Sequence, residues 1–119
     1  MERRPPIIKH GYTYDGEWNP HTNQRQGRGV LITRLGSIYE GWFLNDKFHF
    51  KGRIIWQDGT WYEGEWENDL QQGLGSYNLL NGNKWEGKFE KGVAQGIGKY
   101  TMTNGHSDER KFEDNCIIF

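Results

Sequence analysis

Read for alternation of hydrophobic and polar positions, the chain repeats one short pattern: aromatic, acid, glycine, variable, aromatic. It runs Tyr14-Asp15-Gly16-Glu17-Trp18, Tyr39-Glu40-Gly41-Trp42-Phe43, Tyr62-Glu63-Gly64-Glu65-Trp66 and Trp85-Glu86-Gly87-Lys88-Phe89. A degenerate fifth copy, Asp108-Glu109-Arg110-Lys111-Phe112, keeps only the last ring. The steps between copies are 25, 23, 23 and 23 residues, so this is a repeat array whose last member departs from consensus as a cap does. A period of two predicts a β-strand with rings and glycine on one face and the acids on the other. Helix is excluded by glycine density.

A glycine pair, reduced to Gly52 in the second copy, and a second short strand follow each of the first four copies, as in Gly52-Arg53-Ile54-Ile55-Trp56 and Gly75-Ser76-Tyr77-Asn78-Leu79. Asp58-Gly59, Asn81-Gly82 and Asn104-Gly105 are hairpin signals between strands. A two-residue turn at Asp58-Gly59 would pair Trp56 with Trp61. A three-residue loop ending in a left-handed glycine pairs Ile55 with Trp61, Ile54 with Tyr62 and Gly52 with Gly64, and is preferred because it gathers glycines and rings on one face in every copy. The predicted fold is all-β: an elongated single-layer antiparallel β-meander built of repeated β-hairpins, spanning residues 11–115. The first copy's two extra residues fall in a polar stretch where a loop tolerates them, and Phe50 stands where the other copies have a glycine.

Residues 1–10, with Pro5 and Pro6, read as an N-terminal arm, since neither proline donates a ladder hydrogen bond. Ile7 and Ile8 fit the outgoing strand of an incomplete repeat. Residues 116–119 form an apolar tail. With an initiator Met and no appended domain, the chain reads as complete.

Composition narrows the function classes. Gly 17 and six each of Trp, Tyr and Phe leave burial to aromatic rings on glycine. Fifteen basic and sixteen acidic residues are interspersed, and only Arg3, Arg4 and Lys9 make a local basic cluster, so a nucleic-acid binder is not expected. The single Cys116 excludes an internal disulfide and fits a reducing compartment. No apolar run spans a bilayer and no signal peptide is evident.

Tyr62-Glu63-Gly64-Glu65-Trp66, the pair Gly73 and Gly75, and the Asp58-Gly59 turn, at a step of 23, resemble MORN repeats (membrane occupation and recognition nexus) over roughly residues 11 to 115. The family usually carries His-Gly before the second strand. Here that slot reads Gln26-Gly27, His49-Phe50, Gln72-Gly73 and Gln95-Gly96. The resemblance implies an elongated β-sheet scaffold, found in radial-spoke heads, membrane junctions and cytoskeletal proteins, and as appendages on lipid kinases and a lysine methyltransferase.

No catalytic constellation emerges, since a single-layer sheet offers little depth for converging groups. His10, His21, His49 and His106 are not at metal-ligand spacing, Cys116 has no partner histidine, and no glycine-rich loop opens a helix. Neither cofactor nor metal is expected. The acids Asp15, Glu17, Glu40, Glu63, Glu65 and Glu86 alternate along a strand face near Arg53, Lys88 and Lys99, as on a solvated face with cross-strand ion pairs. Two rings fall outside the repeat code: Trp42 takes the slot of Glu17, Glu65 and Lys88, and Trp61 that of Thr13, Ile38 and Lys84. Ile38, Trp42, Ile55 and Trp61 then share the otherwise polar face, covered by a partner or by the chain's own arm or tail.

The expected function is a non-catalytic scaffold in a larger eukaryotic assembly, with a ciliary axoneme or other cytoskeletal complex as a setting and a cytoplasmic or cytoskeletal location. A partner helix or peptide is expected on the aromatic–glycine face, Tyr39, Phe43, Tyr62, Trp66, Trp85 and Phe89, with Trp42 and Trp61 as further contacts. The alternative is a peripheral membrane adaptor, for which Arg3, Arg4 and Lys9 are the sole basic support. Open sheet ends leave homodimers open.

Overall fold

The computed structural model describes residues 1–113, 116 and 117, and side chains through residue 112. Ile118 and Phe119 of the expected tail lie outside the described residues. Every element among the described residues is a strand: β1 (Glu2–Arg3), β2 (Ile7–Lys9), β3 (Tyr12–Asn19), β4 (Gln24–Ile32), β5 (Ile38–Leu44), β6 (Lys47–Ile55), β7 (Trp61–Glu67), β8 (Leu70–Asn78), β9 (Lys84–Glu90), β10 (Val93–Thr101), β11 (Ser107–Glu113) and β12 (Cys116–Ile117). From β3 onward each strand pairs antiparallel with the next. The arm is an edge strand: β1 pairs with Trp18 and Glu17, β2 pairs with Tyr12 to Tyr14, and Pro5 and Pro6 interrupt the ladder where a missing N–H is tolerated.

The register is that of the three-residue loop, with Ile55 opposite Trp61, Ile54 opposite Tyr62 and Gly52 opposite Gly64. Gly59 adopts φ 93, and the Trp56 N–H donates to the Thr60 carbonyl to close the loop. The opposite sheet edge uses a turn that the sequence reading missed. Asn45-Asp46 (φ 50 and 69) and Asn68-Asp69 (φ 48 and 72) are two-residue turns with both central residues left-handed. The Asp also braces the preceding hairpin, since Asp46 Oδ1 accepts from the Arg25 N–H at 2.7 Å and Asp69 Oδ1 from the Phe48 N–H at 2.8 Å. The two extra residues of the first copy lie in the corresponding loop, 20–23.

Glycines run in a row across the sheet, paired as Gly16–Gly29–Gly41–Gly52–Gly64–Gly75–Gly87. The row exists to admit rings. A Cβ on Gly29 or Gly75 would overlap the ring of Tyr14 or Tyr62, which lies across it. Each of these tyrosine hydroxyls reaches over the glycines to donate to a carbonyl three residues on: Tyr14 to Glu17, Tyr39 to Trp42 and Tyr62 to Glu65, all at 2.8 Å.

The rings form a continuous edge-to-face chain, Trp18–Tyr14–Phe43–Tyr39–Trp66–Tyr62–Phe89–Trp85, with centroids 4.8 to 5.8 Å apart. The envelope is 48 × 24 × 23 Å. A seven-residue strand spans about 23 Å and adjacent strands lie about 4.8 Å apart, so the long axis runs across the strands. The 23 Å third dimension is more than a flat layer needs, and the sheet is therefore bent and twisted, with the ring chain inside.

Candidate interaction surface

The curvature decides which face is free. Tyr39, Tyr62 and Trp85 have no solvent exposure, and Phe43, Trp66 and Phe89 have 6% or less. The expectation of an open aromatic–glycine face that receives a partner is corrected on this point: these six rings are the core. The reason is that each packs against rings of neighbouring hairpins, and the concave side is filled further by Phe48 and Arg25. Phe48 stacks on Tyr39, and the Arg25 guanidinium lies 5.3 Å from the Phe43 ring while its Nε meets Asp46 at 3.2 Å. Burial raises the Tyr14 hydroxyl to about 12, against the opposing pull of Arg25, and raises those of Tyr39 and Tyr62 further. Among the hollows left on this side is one of 240 Å³, lined by residues that include Gln71, Ala94 and Phe112.

The convex face carries the residues that break the repeat code, in three rows that follow from the register. The row nearest the Asp58-Gly59 turn reads Ile8, Thr13, Ile32, Ile38, Ile55, Trp61 across six adjacent strands, then turns polar at Asn78. The middle row reads Asp15, Val30, Glu40, Arg53, Glu63, Ser76, Glu86. Arg53 meets Glu40 at 3.5 Å and lies 5.5 Å from the Trp61 ring centre. The third row holds Arg28 opposite Trp42, with the guanidinium 5.5 Å from the indole. Trp42 and Trp61 therefore share a face, as expected, but a charged row separates them. Nor does the arm cover the patch, since β2 adds Ile8 to it at the sheet edge.

The second copy differs from its neighbours at two linked positions. In the first and third copies a glutamate on the convex face closes the bulge: Glu17 Oε1 accepts from the Arg28 N–H at 2.8 Å, and Glu65 Oε2 from the Leu74 N–H at 2.6 Å. The glycine beside it, Gly27 (φ 95) or Gly73 (φ 89), supplies the left-handed backbone, and any Cβ there would strike the carboxylate. The second copy has Trp42 for the glutamate and Phe50 for the glycine. Phe50 holds φ 59, a conformation costly for a bulky side chain, and its ring meets Trp42 edge-on at 6.4 Å. Phe50 is 54% exposed and Trp42 37%. Sequence reading flagged each departure singly and could not see that one replaces the clasp the other belonged to.

His49 lies in β6, where its Nδ1 accepts from the Asn68 N–H at 3.3 Å. Among the described residues no three His, Cys, Asp or Glu side chains gather as a metal site would require, and no helix is long and apolar enough to cross a membrane.

Comparison with known families agrees with the hairpin repeat. The MORN repeat model matches three consecutive segments, residues 39–61, 62–84 and 85–107, more than half of the chain. These are the second, third and fourth copies read from the sequence, and the first and fifth lie outside the matched span. None of the curated proteins compared with the chain matches it.

Proposed function

This chain belongs to the MORN-repeat family, and from that premise we propose that it is a non-catalytic scaffold that docks a protein partner on its convex face. MORN repeats occur in protein-interaction and membrane-associated proteins and are in general a non-catalytic module. The observation that carries the reading is the Trp42–Phe50 pair. A glutamate–amide clasp present in two other copies is replaced by two exposed rings, which meet each other and the Arg28 guanidinium, at the expense of a left-handed phenylalanine. Strain held at a surface position together with exposed apolar area marks a contact with another molecule.

A larger eukaryotic assembly, such as a ciliary axoneme or another cytoskeletal complex in the cytoplasm, is the setting we propose. The experiment is affinity purification from the native source with wild type, Trp42→Ser and a Leu74→Ser control on the neighbouring hairpin, each with a measured melting temperature. Proteins lost with Trp42→Ser and kept with the control support the reading. Identical partner sets from both variants, with folding intact, count against it.

A further inference from the structure

Of the convex features, the turn-side row is the apolar one, and it has a chemistry of its own. Ile8, Thr13, Ile32, Ile38, Ile55 and Trp61 are mutual cross-strand neighbours, and every one exposes an aliphatic or aromatic surface or a methyl group. Ile8 is 83% exposed and Ile32 42%, with the remaining four half-buried. Five strand spacings make the stripe about 24 Å long and one side chain wide. The equivalent positions of the later hairpins are Asn78, Lys84, Thr101 and Ser107, so the repeat does not require apolar residues there.

One flank of the stripe is acidic. Asp15, Glu40 and Glu63 lie in the adjacent row with Arg53 between the two glutamates, and Arg53 is already engaged by Glu40 and the Trp61 ring. Asp15 meets Arg3 at 3.2 Å with both side chains solvated, and Glu63 has no ion-pair partner among the described residues.

We infer that this stripe docks an amphipathic helix of a partner protein, lying across the strands along the long axis, with basic residues on the flank that faces Asp15, Glu40 and Glu63. This rests on the scaffold reading above and names the class of partner. The geometry favours a helix over an extended peptide. Successive turns of a helix offer one apolar residue every 5.4 Å or so, close to the strand spacing of about 4.8 Å. An extended chain presents same-side residues about 6.6 Å apart and loses step after two strands. A helix of about 16 residues spans the stripe. The carboxylate row then selects lysine or arginine beside the apolar seam, as charged flanking positions select partners in helix pairs.

The probe is a synthetic 18-residue helix with leucine at every third or fourth position and lysine along one flank. It is titrated calorimetrically into the full chain beside a scrambled peptide and a version with glutamate on that flank. The lysine-flanked helix is expected to bind in the micromolar range. Ile8→Ser and Trp61→Ser should each weaken it about tenfold with melting temperature retained for Ile8→Ser, which sits at the exposed edge. Glu40→Lys with Glu63→Lys should weaken it by a similar factor and transfer preference to the glutamate-flanked helix. Equal binding of the scrambled peptide, or indifference to charge reversal, overturns the inference. So does binding of the chain to phosphatidylcholine–phosphatidylserine vesicles that Ile8→Ser abolishes, which assigns the stripe to a lipid surface. A dimer in sedimentation that Ile8→Ser dissolves assigns it to a second copy and likewise overturns it. If the helix fails while Trp42→Ser still removes native partners, the helix falls and the scaffold reading stands.

Discussion

Phe48 lies flat on Tyr39, with ring centroids 3.7 Å apart and planes 5° from parallel. Phe48 faces Phe43 across the β5–β6 hairpin, and in the next two hairpins the same position holds Gln71, opposite Trp66, and Ala94, opposite Phe89. Neither supplies a ring, and both line the 240 Å³ hollow, together with Phe89. Gln71→Phe should therefore stabilise the chain by about 1 kcal/mol, from added apolar burial and one stacked pair. Chemical denaturation would show it as a higher midpoint at an unchanged slope. A lower midpoint means that the hollow cannot take a ring.

The glycines of the row and those of the turns are required for different reasons. At Gly75 the backbone is extended, and the obstacle to a side chain is the Tyr62 ring lying on it, so Gly75→Ala should cost about 3 kcal/mol or more. At Gly105 nothing lies within 4 Å of an added Cβ and the obstacle is φ 90 alone, so Gly105→Ala should cost about 1 kcal/mol. Thermal unfolding of the two variants side by side measures the difference. Equal costs would mean that the tyrosine can leave its glycine bed.

How much of this was legible beforehand follows from what alternation encodes. The period-two pattern Tyr62-Glu63-Gly64-Glu65-Trp66 fixes which side chains share a face, and gathering glycines and rings on that face selects between the two registers that the Asp58-Gly59 turn allows, so both were readable. Alternation does not encode curvature. Whether Tyr62 and Trp66 face solvent or one another depends on how far the strands bend and on which residues fill the concave side, and there Arg25 and Phe48 are informative only once the bulges are known. The bulges place two extra residues in each second strand, between Gly16 and Trp18 on one side and Arg25 and Gly29 on the other, and so move a whole turn's worth of neighbours. The Trp42–Phe50 pair was hidden for the same reason: eight positions apart in sequence, they become neighbours through a left-handed residue that the sequence alone assigns to glycine.

Alkaline pH should unfold the chain through its tyrosines. The folded hydroxyls of Tyr14, Tyr39 and Tyr62 titrate above the ordinary value of 10.0, chiefly because burial disfavours the phenolate. A group whose folded value is raised contributes stability that is complete below its unfolded value and declines as pH rises toward the folded one. Stability should thus hold to about pH 10 and fall through pH 12, the value of Tyr14, and beyond it for the other two. Tyrosinate absorbance and loss of sheet signal should then rise together. Ionisation of all tyrosines near pH 10 with the sheet intact would contradict the burial.

The bulge clasp makes the sharpest prediction, because two residues must change together. Trp42→Glu alone places a carboxylate beside Phe50, which carries the Cβ that would strike the carboxylate in the first and third copies, and should destabilise by about 1 kcal/mol. Phe50→Gly alone relieves φ 59 but leaves Trp42 without its ring contact, so its effect should be small. The double variant restores the Glu–Gly pair of the third copy, in which Glu65 accepts from the Leu74 N–H at 2.6 Å; the corresponding donor here is the Lys51 N–H. A charge-assisted hydrogen bond of that kind contributes about 1.5 kcal/mol or more. The double variant should therefore exceed the sum of the singles by at least about 1 kcal/mol in a double-mutant cycle. It should also lose whatever binds the Trp42–Phe50 rings while gaining stability, the combination expected when a surface is kept for contact at the expense of the fold. Additive singles would mean that the two substitutions are unrelated and that the aromatic pair replaced nothing.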